Sequence, residues 1–362
     1  MKLAATVLAS AITSLAVLWF AFDLAPTAVP RGIRSSSQAA FAATPHPVAF
    51  GPSATGHAVI VAAGAEIGGE ISRTIAGLSG AADGKNGCGT IVLPEGTYTL
   101  ANPIRITNPC VSIYGQGRRA TLLKYQGAGA ALEFTDNHFG LPPRSPQMGG
   151  TLAHFAIQGN ASPGAAGIHV GNLVGLTLED LEIYGFSGGS CVWFDNTIAF
   201  TERYFVSNVD VDNCAAGLRF TKSGGNASFE HGHIQVFVSV RAGQTGVLLE
   251  DGAFVARGYL EINGNIQHGG TLVRLAGNSH LVEEFVVITV ENTDVKGAEG
   301  IVVDSTSTAA LTGLFWPSDG WLRNSAPPSH LQLAVGNGHG AMSATNFVAQ
   351  APPRPPRKGL LP

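Results

Sequence analysis

Charged residues are scarce in this sequence of 362 residues. Asp, Glu, Lys and Arg together make up 13% of it, about half of the share usual in soluble domains. The formal net charge is −4, so the chain lacks the excess of Lys and Arg by which proteins bind nucleic acid. Glycine, at 47 residues, and apolar residues, at 45%, are abundant instead. This composition is typical of a chain with many turns and much buried strand, and its length suffices for a large core.

Long apolar runs are also absent, apart from one at the N-terminus. The segment from Leu3 to Phe22 follows a single Lys and carries no charge. It is longer than the roughly 7–15 apolar residues of a cleaved signal peptide, and it reaches the lower limit for a membrane span. We expect residues 1–22 to be a signal peptide or an N-terminal anchor and residues 23–50 to be a linker. The remainder would be exported to the extracellular space, the periplasm or the outer face of the membrane, and a membrane would be a partner only if the segment is retained.

Short apolar strands recur from Thr151 onward in two patterns that advance together. In the first pattern a small residue precedes an apolar-x-apolar triplet, and successive triplets begin 24 to 29 residues apart. Their first apolar positions are Ile168, Val192, Leu218, Val247, Val273 and Ile301. The second pattern comprises the pairs Phe155/Ile157, Leu181/Ile183, Val209/Val211, Val238/Val240, Leu260/Ile262 and Ile288/Val290. One such unit cannot bury its apolar face alone, so the period predicts the stacked coils of a solenoid.

The kind of solenoid follows from the residues between the strands. The sequence shows neither the Leu and Asn signature of leucine-rich repeats nor the 3.6-residue periodicity of helical repeats. Inward Ile, Val, Leu and Phe separated by turns rich in Gly and Asn predict an all-β fold, a right-handed parallel β-helix, over residues 51–345. Its coils would stack at ~4.8 Å, the spacing of neighbouring strands. The Pro-rich residues 346–362 are predicted to be a disordered or extended tail.

The first part of the domain carries a resemblance to a known family. The segments "GCGTIVLPEGTYTLANPIRI" and "VSIYGQGRRATLLKY" resemble the opening of pectate-lyase-like β-helix proteins, and the resemblance covers residues 51–315. Just before them, four apolar residues are spaced as in a short amphipathic helix; these are Ile67, Ile71, Ile75 and Leu78. The resemblance implies that this helix covers the open end of the solenoid, where unpaired strand edges would otherwise invite aggregation.

A second segment is similar to the β-helical domains of phage tailspike-like proteins. It runs from Phe200 to Thr221, "FTERYFVSNVDVDNCAAGLRFT". Some proteins of that kind cut polysaccharide, and others form only a shaft. This similarity would imply a trimer, whereas we otherwise expect a monomer. Glu202 and Arg203 in the segment can equally be a solvent-facing ion pair on a turn.

Two triplets resemble the active site of polygalacturonases but lack its context. They are Asn292-Thr293-Asp294 and Gly338-His339-Gly340. In that family the Asp directly precedes the small residue that opens the outward strand, whereas Asp294 lies six residues before Gly300. The chain also has no adjacent pair of Asp residues, and inverting hydrolysis needs two carboxylates. We therefore interpret Asp294 as a turn residue and His339 as a loop residue.

The four cysteines are candidates for two disulfides if the chain is exported. Three pairings exist, and no CxxC spacing supports a zinc or redox site. Cys88 and Cys110 flank the segment "GTIVLPEGTYTLANPIRITNP", and Cys191 and Cys214 lie in successive copies of the repeat. We therefore predict the pairs Cys88–Cys110 and Cys191–Cys214.

The outward residues of the first pattern suggest a binding strip. Alternate residues of a strand point to opposite faces, so each triplet presents its middle residue. These middle residues are His169, Trp193, Arg219, Leu248, Arg274 and Val302. A flat Trp ring for a sugar face, with Arg forks for carboxylates, would suit an acidic polysaccharide. We take His169, Trp193, Arg219 and Arg274 as substrate-binding candidates, and the resemblance to pectate lyases also makes Arg219 or Arg274 a candidate base. The alternative is a mixed solvent face with Trp193 beneath a loop.

The outward residues of the second pattern include three carboxylates. Its middle residues are Ala156, Glu182, Asp210, Ser239, Glu261 and Thr289. Carboxylates on adjacent coils would be roughly 5 Å apart and those two coils apart roughly 9–10 Å, and both separations suit glycoside cleavage. Glu182, Asp210 and Glu261 are therefore catalytic candidates. A calcium site or ordinary surface charge would account for them equally.

A metal site of another kind is suggested by "FEHGHIQ". His231 and His233 would lie on one face if the segment were a strand, with Glu230 as the nearest third ligand. No cofactor is evident, calcium apart. The sequence thus predicts an exported β-helix that binds, and in one interpretation cleaves, an acidic polysaccharide. The alternative is a structural or adhesive shaft without catalysis, which would be favoured if the basic and acidic columns face apart.

Overall fold

The computed structural model describes residues 57–60, 67–79, 88–135, 148–291, 298–316, 322–324, 331–337 and 342–344. The N-terminal apolar segment, both polygalacturonase-like triplets and the Pro-rich tail lie outside these residues. Within the described ranges, no helix has the length and apolar character needed to cross a membrane.

The described elements are one helix, α1 (Gly68–Ser79), and 26 strands. The first thirteen strands are β1 (His57–Ile60), β2 (Gly89–Val92), β3 (Gly96–Leu100), β4 (Ile104–Ile106), β5 (Ser112–Tyr114), β6 (Thr121–Tyr125), β7 (Ala130–Phe134), β8 (Thr151–Gln158), β9 (Ala166–Val170), β10 (Thr177–Tyr184), β11 (Ser190–Asp195), β12 (Thr201–Glu202) and β13 (Phe205–Asp212). The others are β14 (Ala216–Thr221), β15 (Ser228–Glu230), β16 (His233–Arg241), β17 (Thr245–Leu249), β18 (Phe254–Ala256), β19 (Tyr259–His268), β20 (Gly270–Leu275), β21 (His280–Glu291), β22 (Ala298–Val303), β23 (Thr308–Trp316), β24 (Leu322–Asn324), β25 (Leu331–Asn337) and β26 (Met342–Ala344).

The strands form two sheets in which each strand pairs with strands of the neighbouring coils. The nine-stranded sheet contains β4, β7, β9, β11, β14, β17, β20, β22 and β24, and the other strands form a seventeen-stranded sheet. The pairings are parallel except for the antiparallel pair β25 and β26. The predicted fold class is confirmed, because the chain is a parallel β-helix of about eight turns.

The apolar-x-apolar triplets form the inner wall of the nine-stranded sheet. Ile168 pairs with Val192, and Val192 pairs with Leu218, each at 0% exposure. The small residue before each triplet is explained by close packing. A Cβ atom added to Gly167 would lie 2.5 Å from Cγ2 of Ile183 and 2.6 Å from the carbonyl oxygen of Cys191. These inward columns supply the continuous core that no single coil could bury.

Helix α1 packs against β4, the edge strand of the nine-stranded sheet. Its residues Ile71 and Ile75, together with Ile67 just before it, are completely buried. The backbone N–H of Arg105 in β4 donates a hydrogen bond of 2.9 Å to Oγ of Ser72. The helix thus covers the edge strand and binds one of its backbone N–H groups, which would otherwise be open to pairing with another chain.

Both predicted disulfides are confirmed. Cys88 pairs with Cys110 and Cys191 pairs with Cys214, with Cα atoms 5.1 and 5.7 Å apart. The second bond joins the strand β11 to the turn before β14, one coil later. It therefore ties two neighbouring coils together.

The register predicted for the second pattern is wrong at β16 and β19, and right again at β21, where Ile288 stands in the column of Val209. Val209 pairs with Val236 rather than Val238, and Val236 pairs with Ile262 rather than Leu260. The strand β13 also contains one more residue than β16 between Val206 and Val209. Asn208, in that bulge, has a φ of 53°, a left-handed conformation typical of an inserted residue. As a result the outward neighbour of Asp210 on the next coil is not Ser239.

Candidate functional site

The predicted basic and aromatic strip forms one column on the nine-stranded sheet. His169 pairs with Trp193, and Trp193 pairs with Arg219. The column continues through Leu248 to Arg274, as the sequence predicts. Val302, which follows Arg274, is 3% exposed and therefore does not face solvent.

Within this column the indole ring of Trp193 is covered by its neighbours. The imidazole of His169 stacks on it at 4.3 Å between ring centroids, and the guanidinium of Arg219 lies 4.8 Å from its centroid. His169 belongs to the preceding coil and Arg219 to the following one, so the two side chains cover opposite faces. Nε1 of Trp193 donates to Oγ1 of Thr221 at 2.7 Å. The prediction that a sugar ring stacks on a free face of Trp193 is therefore wrong.

The charges of the strip are also largely paired. Nε of Arg219 donates to Glu250 at 2.6 Å. Nε2 of His169 lies 3.8 Å from Asp195, which is 4% exposed. Burial alone would raise the pKa of Asp195, but hydrogen bonds from His169, Ser223 and Thr221 outweigh it and lower the pKa. Of the candidates for carboxylate binding, Arg274 is the exposed one.

The three predicted catalytic carboxylates lie on the seventeen-stranded sheet, away from this strip. Glu182 pairs with Asp210 on adjacent coils, as the sequence predicts. Glu261 does not continue their column, because it pairs with Gln235, whereas Asp210 pairs with Phe237. The apolar pair of β19 that is in register with Val209 and Val211 is Ile262/Gly264 and not Leu260/Ile262. The acidic and basic columns therefore belong to different sheets.

A polar cluster that sequence analysis missed surrounds Asp210. Nη1 of Arg118 donates to Asp210 at 2.7 Å, and Nε of Arg118 lies 3.6 Å from Asp180. Asp180 is also bonded to Nδ1 of His154 at 3.0 Å and accepts from Nδ2 of Asn208 at 2.9 Å. One guanidinium thus bridges two carboxylates on neighbouring coils.

Three members of this cluster share a backbone conformation. His154, Asp180 and Asn208 have φ values of 63°, 48° and 53°, a region that non-glycine residues seldom adopt. Each is the residue directly before an inward pair of the second pattern. This repeated polar residue was a sequence signal for the cluster, and at Asn208 it forms the bulge between β13 and β16.

The cluster holds one carboxyl group with an altered acidity. Burial raises the pKa of Asp210, and the neighbouring Asp180 adds to this effect, while Arg118 and Arg119 oppose it. The net effect is a raised pKa. A carboxyl that keeps its proton more readily than usual is suited to general acid catalysis.

An exposed column of aromatic rings runs along the same seventeen-stranded sheet. It consists of Phe205, His233, Tyr259 and Phe285, which pair in this order on successive coils. We call it the aromatic column. Centroids of neighbouring rings are 6.3, 4.8 and 6.0 Å apart. Phe205 is 48% and Phe285 is 44% exposed, so apolar ring surface is open at both ends of the column.

Polar side chains lie beside the aromatic column on the same face. Glu261 accepts hydrogen bonds from the Tyr259 hydroxyl at 2.8 Å, from Nδ2 of Asn263 at 3.2 Å and from Nε2 of Gln235 at 3.3 Å. Phe237, two residues beyond Gln235 on the same outward face, is 37% exposed. The face thus alternates apolar rings with hydrogen-bonding groups. The sequence patterns missed these rings, because Phe205, Tyr259 and Phe285 stand at strand positions before the apolar pairs.

The candidate metal site is not supported by the structure. His231 lies in the turn between β15 and β16, with a φ of 56°, so it does not share a strand face with His233. Glu230 is bonded to Arg257 and to Ser228. Among the residues that the structure describes, there is no group of three His, Cys, Asp or Glu side chains that could hold a metal ion.

Comparison with known proteins gives likenesses of structure only. No protein-family model and no curated protein matches the chain. A Geobacillus virus E2 protein, ORF18, is 12% identical over 74% of this chain and 57% of its own, with a TM-score of 0.36. The catalytic domain of a GH87 alpha-1,3-glucanase in complex with nigerose is 12% identical over 81% of this chain and 70% of that chain, with a TM-score of 0.39. An endo-xylogalacturonan hydrolase from Aspergillus tubingensis is 13% identical over 78% and 94% of the two chains, with a TM-score of 0.31.

This chain spans little more than half of the length of the virus protein, 57%. Likenesses at this level carry no argument about function. The class of the protein, a parallel β-helix, follows from its own strand pairings.

Proposed function

We propose that this protein is an exported polysaccharide-binding β-helix whose binding surface is the aromatic column. The observation that carries the proposal is the exposure of stacked rings between hydrogen-bonding side chains. A sugar ring has an apolar C–H face and a rim of hydroxyl groups, so it fits a surface that alternates in this way. Export is supported by the uncharged N-terminal segment and by the two disulfides, which persist in oxidising compartments.

The direction of the column suits a long chain rather than a small ligand. Its four rings lie on four successive coils, so they extend along the β-helix axis over roughly 14 Å at the spacing of parallel strands. A polymer lying along the axis would meet equivalent ring surfaces in turn. Each contact is weak, and several together give useful affinity.

Cleavage of the bound chain is a second candidate function, favoured by the cluster around Asp210. The raised pKa of Asp210 suits a general acid, and Asp180 and Glu182 are the neighbouring carboxylates on the preceding coil. Glycoside hydrolysis needs an acid and a second carboxylate in such a pair. Arg219, the candidate lyase base, is engaged by Glu250 on the other sheet. We therefore place a catalytic site, if the protein has one, at Asp210.

The alternative remains a structural or adhesive shaft. This alternative is favoured by the separation of the basic and acidic columns on two sheets. The exposed aromatic column argues against it, because a passive shaft would not need these rings and their exposure adds a risk of aggregation.

The experiment is a binding and cleavage screen of the purified protein. Retardation in gels containing soluble neutral glycans or polyuronates would measure binding, and assays of reducing ends and of unsaturated ends would detect hydrolysis and elimination separately. We expect retardation by at least one glycan, and its loss on replacing Phe205 and Phe285 by Ala. Unchanged mobility in every glycan would favour the shaft.

A further inference from the structure

We propose that Glu261 selects uncharged polysaccharides for the aromatic column by presenting a fixed carboxylate that repels polyuronates. The inference rests on the proposed function, since it concerns which glycan the same surface takes. It runs against the acidic polysaccharide that Arg219 and Arg274 suggested from the sequence, because those residues lie on the other sheet.

The position of Glu261 places its charge at the surface of the column. Glu261 lies two residues after Tyr259 in β19, on the same outward face. It pairs with Gln235 on the preceding coil and with Val287 on the following one. A chain bound to the rings of Tyr259 and Phe285 would therefore pass directly beside this carboxylate.

The carboxylate is oriented by neutral donors and not neutralised by them. Its partners are the hydroxyl of Tyr259 and the amides of Asn263 and Gln235. Partial burial would raise the pKa of Glu261, but these hydrogen bonds and the nearby His233 outweigh it and lower the pKa. Among the described residues, no Lys or Arg forms an ion pair with Glu261, so its negative charge is available to a ligand.

Further carboxylates lie on the same sheet. Glu182 and Asp210 lie on the same sheet, and the guanidinium of Arg118 is shared between Asp210 and Asp180. Two arginines also lie next to the column, Arg203 two residues before Phe205 and Arg257 two residues before Tyr259, and Arg257 is paired with Glu230 and Glu283. Beside Glu261 itself, however, a uronate carboxylate would meet a like charge, and juxtaposed like charges cost affinity and reject partners. Hydroxyl groups of a neutral glycan could instead donate to the remaining lone pairs of Glu261.

The test uses matched pairs of ligands and of variants. The ligands are soluble glucans, mannans and xylans, polygalacturonate, and the best neutral hexose polymer after oxidation of its primary hydroxyls to carboxylates. The variants are Glu261→Gln and, as a control of equal charge change on the other sheet, Glu133→Gln, whose carboxylate faces Arg105. Binding is measured at a pH of about 8, where an unperturbed histidine is neutral.

We expect the native protein to bind the neutral glycan at least about tenfold more tightly than its oxidised form. Glu261→Gln should narrow this ratio by about three- to tenfold at low salt, and Glu133→Gln should leave it unchanged. Equal binding of both forms by the native protein, or an unchanged ratio in Glu261→Gln, would overturn the inference.

Two further results separate the inference from the function on which it rests. Binding of polygalacturonate alone would refute the selectivity and leave polysaccharide binding intact, whereas binding of no glycan would refute the proposed function itself. If Glu261→Gln does not fold, the native protein still decides the matter. Raising the salt from about 0.02 to about 0.5 M should then strengthen binding of the oxidised glycan and leave the neutral one unaffected, because salt screens the repulsion. If binding of both glycans is independent of salt, the carboxylate of Glu261 does not repel the oxidised glycan.

Discussion

The phenol of Tyr204 and the carboxyl of Glu284 share one interior column of the β-helix, with two glycines between them. The residues of this column are Tyr204, Gly232, Gly258 and Glu284. Each directly precedes one member of the aromatic column, and those members pair on successive coils. A Cβ atom on Gly232 would lie 2.4 Å from the Tyr204 ring, and one on Gly258 would lie 3.1 Å from Oε1 of Glu284. The glycines thus leave the room that the two large side chains fill.

This arrangement puts an acid inside an apolar core. Glu284 is 3% exposed and Tyr204 is 0% exposed. Within the described structure, neither the Tyr204 hydroxyl nor Oε2 of Glu284 has a hydrogen-bond partner. Burial raises the pKa of Glu284 to about 8, although a hydrogen bond from the backbone of Gly258 acts in the opposite direction. Burial also raises the pKa of Tyr204, the titratable group that faces Glu284.

The first prediction is that Glu284 makes stability fall as the pH rises. The folded protein keeps the Glu284 proton up to a pH of about 8, whereas the unfolded chain releases it near 4.5, the ordinary value. Between these values the folded state binds more protons, so the free energy of unfolding decreases with rising pH, by an amount on the order of a few kcal/mol across the window. Thermal unfolding should show this slope in the native protein and a flatter one in Glu284→Gln.

Glu283→Gln is the matched control for this experiment. Glu283 is the preceding residue, but it is exposed and ion-paired with Arg257. Its replacement should leave the slope unchanged. An equal slope in the native protein and in Glu284→Gln would show that Glu284 does not carry the proton.

A second prediction separates packing from binding at Trp193. Because His169 and Arg219 cover both faces of its ring, Trp193→Ala should lower the free energy of unfolding by about 1–3 kcal/mol. Glycan retention should not change. Loss of glycan binding with unaltered stability would show that the ring is a sugar platform.

The third prediction concerns the two ends of the aromatic column. Phe205→Ala and Phe285→Ala should each weaken glycan binding by about 1–3 kcal/mol, the usual cost of truncating an aromatic anchor. Their stability should change by no more than about 0.5 kcal/mol, because both rings are nearly half exposed. Ile198, also 48% exposed but outside the column, offers a control in Ile198→Ala. Weakening by the control as large as that by Phe205→Ala would argue against a specific surface.

The fold could be predicted from the sequence because its signal is repeated. Each coil carries the same inward triplet, so a mistake at one coil is corrected by the next. The nine-stranded sheet confirms this, since Ile168, Val192 and Leu218 pair as the period predicts. The disulfide Cys191–Cys214 followed from the same period.

The candidate site could not be predicted in the same way, because it depends on departures from the period. Asn208 adds a residue to β13 by adopting a left-handed conformation, and conformation is not visible in the spacing of apolar residues. Glu261 lies outside the column of Asp210 because the pair in register with Val209 and Val211 is Ile262/Gly264, and a glycine does not show as an apolar position in the sequence. The prediction that the Trp193 ring is exposed was wrong for another reason. Side chains in register on adjacent coils stack on one another, so a neighbouring ring covers the face of the indole.

A fourth prediction concerns the disulfide between Cys191 and Cys214. It closes a loop with a sequence separation of 23, and in the chain-entropy account its removal costs about 3 kcal/mol. The double variant Cys191→Ser with Cys214→Ser should therefore unfold at lower temperature than the native protein. Labelling of the exported, non-reduced protein should find no free thiol. Labelling of all four cysteines would contradict both bonds.

The fifth prediction places any cleavage activity at Asp210. If the screen detects cleavage, Asp210→Asn should reduce the rate by at least about a hundredfold, the usual contribution of a general acid. Binding should persist, because the aromatic column is unchanged.

Asp210→Asn also weakens the ion pair with Arg118, so Arg118→Gln is the necessary comparison. A loss of rate as large in Arg118→Gln, with the pH profile unaltered, would mean that the cluster acts by positioning. A pH profile that loses its upper limb only in Asp210→Asn would identify Asp210 as the proton donor, since that limb reports the acid that must stay protonated.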